Sequence, residues 1–306
     1  MKIKKLTVTI AALTLALAGC AGNDDPLGNQ SAAPPTQADQ EAIVVGSANF
    51  TESQVLGELY AQALQAKGLN VSTKPNIGSR EVYLKALQEG TVSIVPEYTG
   101  NLLLNYDKDA TAKTAEEVET ALPEALPSGL QILKPSPAAD QDVYVVTKQF
   151  ADQNGVASLA DLKKVSADSI LGGPSELASR AYGPEGLEKI YGAKFKEFKP
   201  YDSPAVKSRD LNDGKIQVAT FFTTESAIID NGYVQLADPE AMILPQNVVP
   251  LVTDAVAGNA DAKAAIEAVQ AALTTEDLTA LNKRVDSDHD DPGQVAGDWL
   301  KEKGLA

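Results

Sequence analysis

A single cysteine, Cys20, and a single histidine, His289, stand among 306 residues. Disulfide frameworks, Cys/His zinc sites and any histidine-dependent nucleophile not built on His289 are thereby excluded. Carboxylates are what the chain has in number: 42 Asp plus Glu against 26 Lys plus Arg, for a net charge of −16. Such a balance argues against non-specific nucleic-acid binding, which draws its affinity from neutralised phosphates. Glu97 beside Tyr98, or paired with Glu52 or Glu81, has the residue types of a glycosidase-like couple. Ser79 and Ser175 have the hydroxyl of a nucleophile but no base near them in the chain. Asp286-Ser-Asp-His-Asp-Asp291 is rich in acid, yet it lacks the glycine and terminal glutamate of an EF-hand loop and reads as a connector capping the last helix. No metal and no cofactor is expected.

A second set of residues suits capture of a small molecule better than chemistry on it. Asn49, Phe50 and Thr51 follow one apolar run, Ser79 and Arg80 a second, and Tyr98, Thr99 and Asn101 a third. Further on, Gly172-Gly-Pro-Ser175 leads to Arg180, and Phe221 leads to Phe222 and Thr223. Hydroxyls and amides at helix starts, where backbone N–H groups are free, suit a carboxylate. Arg80 or Arg180 adds a bidentate contact. Tyr98 and Phe222 offer π faces to a quaternary ammonium, each worth about 0.5–2 kcal/mol when desolvated.

These segments need elements to hold them, and the chain alternates strand and helix patterns from Ala42 onward. Strands are expected at 43–46, 71–74, 92–95, 131–134, 143–147, 170–171, 195–198, 216–220 and 248–252. Thr51-Glu-Ser-Gln54 has the form of a capping box ahead of an apolar face through Leu64, and Ser79 is placed to cap the next helix. After 252 the pattern is nearly all helix, at about 258–273, 276–284 and 293–303, with Trp299 read as core. The grammar runs twice, which predicts an α/β protein of two lobes. Residues 42–141 plus 249–306 form one lobe and 142–248 the other, with ligands beyond the carboxyl ends of the strands.

The first residues differ in kind. Met-Lys-Ile-Lys-Lys precedes a short apolar stretch ending Leu17-Ala-Gly-Cys20, the make-up of an export signal and too short for the roughly 20 residues of a membrane span. The L-A-G-C box resembles the lipobox of bacterial lipoproteins. That resemblance implies a signal peptide over 1–19, a diacylglyceryl anchor on Cys20 and a place on the outer face of the cell membrane. Residues 20–41, rich in Pro, Gly, Ala and Gln, read as a flexible tether.

The runs IVVGSANFTESQVLGELYAQALQAKG, GSREVYLKALQEGTVSIVPEYTGNLL, ELASRAYGPEGLEKIYGAKFKEFKP, FFTTESAI and ILPQNVVPLV resemble, in order, the substrate-binding proteins of osmoprotectant ABC transporters. These are the glycine betaine/choline/carnitine binders of the ProX/OsmF type. The resemblance implies a two-lobed type II periplasmic-binding-protein fold, acting as a monomer that closes on its ligand and delivers it to a permease with a cytoplasmic ATPase. It implies that Tyr98 and Phe222 occupy aromatic-cage positions and that Arg180 binds a carboxylate. Asp142 and Asn247 stand where two further cage tyrosines are expected, Ala48 where a lysine is, and Asn101 where a threonine is. An eroded cage weakens quaternary-ammonium binding, for which either a carboxylate at Asp142 compensates by charge or a ligand carrying hydroxyls takes the place of the quaternary ammonium. Two other readings compete: an extracytoplasmic carboxylate-dependent hydrolase using Glu97, and a structural surface lipoprotein without a small ligand.

Overall fold

Among the described residues, ten strands form two sheets that repeat one plan. In the first, β1 (Ile43–Gly46), β2 (Val71–Lys74), β3 (Ile94–Tyr98) and β4 (Leu130–Ile132) are joined by β10 (Val248–Thr253) in the order β2-β1-β3-β10-β4. In the second, β5 (Asp142–Val146), β6 (Ile170–Gly173), β7 (Glu197–Pro200), β8 (Val218–Phe222) and β9 (Val234–Gln235) lie in the order β7-β6-β8-β5-β9. Each sheet has parallel neighbours on one side and an antiparallel strand brought in by the chain crossing from the other lobe: β10 on β3, and β5 on β8. This computed structural model describes residues 42–306; the expected signal peptide, Cys20 and tether lie outside the described residues.

The central strands are apolar and buried along their length, as strands covered on both faces must be. The third strand runs beyond its expected end at Val95 to Tyr98. Pro96 does not stop it because it lies opposite Pro250 in the ladder, so the two missing N–H groups fall on one rung. The phenylalanine before the first helix, not Thr51, is that helix's cap residue, and no side chain caps it. Thr51 instead turns its hydroxyl to Asp286 Oδ1 at 2.5 Å. Ser79 is a cap residue by backbone geometry, while its hydroxyl donates to Glu81 Oε2 at 2.8 Å. Asp291 does cap the last helix, accepting from the Gln294 N–H.

Helix Thr51–Ala66 packs with the C-terminal helices Ala260–Ala272, Thr275–Asp286 and Pro292–Lys303, and Trp299 is buried in that core. A helix the sequence pattern does not announce, Thr99–Tyr106, starts directly at the end of β3. Its first turn is stitched to the segment by which the chain returns from the second lobe. Thr99 and Gly100 donate their N–H groups to the carbonyls of Asn247 and Pro245, at 3.0 and 3.1 Å. The Asn101 N–H donates to Gln246 Oε1 at 2.9 Å. Glycine is required there: a Cβ on residue 100 would lie 2.6 Å from both Leu244 Cβ and the Pro245 carbonyl oxygen.

Candidate functional site

The carboxyl ends of β1, β3, β6 and β8 face one another across a cavity of about 620 Å³, within the usual range for small-ligand sites. From the first lobe it is lined by Asn49, Phe50 and Thr51, by Ser79 and Arg80, and by Tyr98 and Asn101. Asp142 enters at the start of β5, and the second lobe adds Arg180 and Phe222. Thr99, Thr223 and Asn247 do not line it. The Thr99 hydroxyl donates to the Pro245 carbonyl and accepts from the Asn247 N–H, and the Asn247 side chain donates to the Ser136 carbonyl. Thr223 donates to Asp140 and accepts from the Gln141 N–H. All three hold the crossing segments together, which is why their side chains are spent before reaching the cavity.

The aromatic residues form a stack rather than an open cage. The Phe50 ring lies 5.3 Å from Phe222 and 6.3 Å from Tyr98, tilted 33° and 32°, so that the first lobe's Phe50 sits between the two. These are ordinary tilted aromatic contacts, and they spend on one another part of the surface that a cage would give to the ligand. The Tyr98 hydroxyl points away, donating to Glu52 Oε1 at 2.6 Å.

The two arginines are both engaged. Arg80 makes a bidentate pair with Glu97, Nε to Oε1 at 2.9 Å and Nη2 to Oε2 at 3.2 Å, and Tyr83 also donates to Glu97. Glu97 is 0% exposed and does not line the cavity. Arg180 reaches across from the second lobe to Glu81 of the first, Nη1 to Oε1 at 2.7 Å.

Among the lining residues that sequence reasoning does not single out are Lys207, Asp140 and Asn282, and they are joined by Glu52, read from the sequence only as a partner for Glu97. Lys207 is 6% exposed, on helix Pro204–Asn212, with Nζ 4.0 Å over the Phe221 ring. Among the described residues its ammonium has no hydrogen bond or ion pair. Burial lowers its pKa, while the charges of Glu225 and Asp142 oppose that shift. Glu52 accepts from Tyr98, from Thr224 of the second lobe at 2.7 Å and from Asn282 at 2.6 Å. Asp140 lies beside it and accepts from the Thr223 hydroxyl and the Thr224 N–H. Burial, and for Asp140 the neighbouring Glu52 charge, pushes both carboxyls above the ordinary range. Three side-chain donors on Glu52 oppose its rise, whereas at Asp140 the Glu52 charge adds to burial. No sequence signal marks Lys207, Asp140 or Asn282, because each comes from a different stretch of chain.

Two α/β lobes of matching topology, a cleft at their strand ends and two crossing segments define a type II periplasmic-binding-protein fold. Residues 41–302 match the OpuAC family, the substrate binding domain of ABC-type glycine betaine transport systems, and the chain belongs to that family of solute-binding proteins. The glycine-betaine-binding protein of Pseudomonas aeruginosa is 28% identical over 284 residues, covering 88% of this chain and 90% of the relative. The glycine betaine-binding protein YehZ of Escherichia coli (strain K12) is 27% identical over 276 residues, covering 86% and 90%. A crystal structure described as a glycine betaine/carnitine/choline ABC transporter has a TM-score of 0.68 at 22% identity, covering 86% of this chain and 99% of its own, a likeness of fold.

Proposed function

We propose that this chain is the extracytoplasmic solute-binding component of an ABC importer. It captures a small zwitterionic or quaternary-ammonium osmolyte, of the glycine betaine kind named for its relatives, and hands it to a membrane permease driven by a cytoplasmic ATPase. The observation that carries the reading is the single cleft on which cationic, anionic and aromatic side chains from both lobes converge. Arg180 and Lys207 serve the ligand's carboxylate. Lys207 supplies from the second lobe the ammonium that Ala48 cannot supply from the first. The L-A-G-C box supports an anchor at Cys20, and a Cys20→Ser chain should then leave the membrane fraction.

Capture is favoured over hydrolysis by the state of Glu97, closed off behind Arg80 and Tyr83 where no substrate bond reaches it. The test is thermal unfolding of the full chain with glycine betaine, choline, carnitine, proline, ectoine and sugars. A binder gains about 2.7 kcal/mol at a hundredfold excess over its Kd. A flat response to every zwitterion and quaternary ammonium sinks the reading in favour of a structural lipoprotein; turnover of a glycoside or ester lost in Glu97→Gln would favour the hydrolase.

A further inference from the structure

Resting on the reading of the cleft as a zwitterion trap, we propose that the cation it is built for carries N–H groups, accepted by Asp142 and Asn101. A fully methylated ammonium offers no hydrogen-bond donor and is held by ring faces. Here Tyr98 and Phe222 each pack against Phe50. The polar wall of the cavity has the opposite character. Asp142 is 9% exposed and Asn101 7%, and the Asn101 Nδ2 donates to Asp142 Oδ2 at 2.8 Å across the cleft. With its amide so oriented, Asn101 Oδ1 is a buried acceptor with no partner among the described residues, and the Thr220 hydroxyl, also lining the cavity, has none either.

An ammonium bearing N–H groups, set beside the Asp142–Asn101 pair, donates to the carboxylate and to the orphaned amide oxygen together. A trimethylammonium in the same place neutralises the charge but leaves the Asn101 amide oxygen without a hydrogen bond and adds none to Asp142. Sites furnished with buried acceptors discriminate strongly against ligands that lack the donor, since the unpaired groups remain desolvated. Burial raises the Asp142 pKa in spite of hydrogen bonds from Asn101 and Tyr182, so this carboxylate gains more from a partnered cation than an exposed one does.

The methylated glycines separate the possibilities, because the carboxylate stays constant while the N–H groups are removed one by one. Titration calorimetry of the full chain with glycine, sarcosine, N,N-dimethylglycine and glycine betaine should show N,N-dimethylglycine binding at least about tenfold more tightly than glycine betaine. Asp142→Asn should shrink that gap to within about threefold. Asn101→Ala, which keeps the carboxylate, gives the same comparison if Asp142→Asn does not fold. Glycine betaine binding as tightly as N,N-dimethylglycine, or a gap untouched by either substitution, overturns this assignment while leaving solute capture intact. Binding of none of the four, in a panel where other zwitterions also fail, overturns both.

Discussion

Arg180 and Glu81 sit on opposite lobes, and their side chains meet at 2.7 Å over the mouth of the cleft. A ligand carboxylate that uses Arg180 therefore shares its charge and its donors with Glu81. Glu81→Gln should raise the affinity for the tightest-binding methylated glycine by a few-fold. Arg180→Ala should lower it by about tenfold or more, the worth of one charge-assisted contact. Because Glu81 is more than half exposed, the melting temperature of either variant should stay near that of the parent. Calorimetric titration of both variants checks the pair; an unchanged affinity in Arg180→Ala removes this residue from the site.

Gly100 fills a position that admits no side chain. Both atoms that a Cβ would meet, Leu244 Cβ and the Pro245 carbonyl oxygen, belong to the returning segment, and forced overpacking costs roughly 1–3 kcal/mol. Gly100→Ala should lower the melting temperature by several degrees and weaken binding, since the Asn101 that follows is carried with it. Gly90→Ala is a poor control because of its positive φ; Gly258→Ala, with its nearest contact at 3.3 Å, is a better one.

Glu97 carries a structural prediction instead of a catalytic one. Glu97→Gln leaves the Arg80 guanidinium, 9% exposed, without its counter-charge, a loss on the order of 3–5 kcal/mol for a buried pair. Chemical denaturation should show the variant markedly destabilised, and Arg80→Met in the same chain should recover much of the loss. A Glu97→Gln protein as stable as the parent would contradict the pairing.

The buried pair Glu52 and Asp140 predicts how stability varies with pH. A carboxyl whose folded-state pKa is raised binds its proton more tightly folded than unfolded. Its favourable contribution is present at low pH and lost as pH rises from the ordinary value of 3.8 for Asp140 through the raised one. Melting temperature should thus fall on going from weakly acidic to alkaline buffer. Asp140→Asn imitates the protonated form, can still accept from Thr223 and Thr224, and should flatten that fall, standing above the parent at pH 8 and close to it near pH 5. Parallel melting curves for the two proteins across that span would show that Asp140 is not the group that titrates.

Much of the frame was legible before the structure. The strands at Ile43–Gly46 and Val71–Lys74 and the helices at Ala260–Ala272 and Pro292–Lys303 follow from apolar runs and, for the last, from Pro at its start and Gly at its end. Helix Thr99–Tyr106 was not, because Thr-Gly-Asn is a poor helix start and its first turn is held by the returning chain. Part of the cavity lining, from Asn49 to Thr51, at Ser79 and Arg80, and at Tyr98 and Phe222, could be read from the strand ends, where topology leaves little choice. Lys207 could not: flanked by Val206 and Ser208 on a helix of mixed polarity, it reads as a surface lysine. Only packing of that helix over Phe221 turns it inward. Thr99, Thr223 and Asn247 err the other way, polar residues beside the cleft whose hydrogen bonds are taken up by backbone and by Asp140.

The wedge of Phe50 between Tyr98 and Phe222 bears on how the two halves part. Any hinge motion that separates them must peel Phe222 from Phe50 and wet two apolar surfaces. Shutting therefore has a driving force of its own that owes nothing to cargo. A smaller residue at position 50 would tilt the resting equilibrium toward gaping and require more solute to bring the halves together.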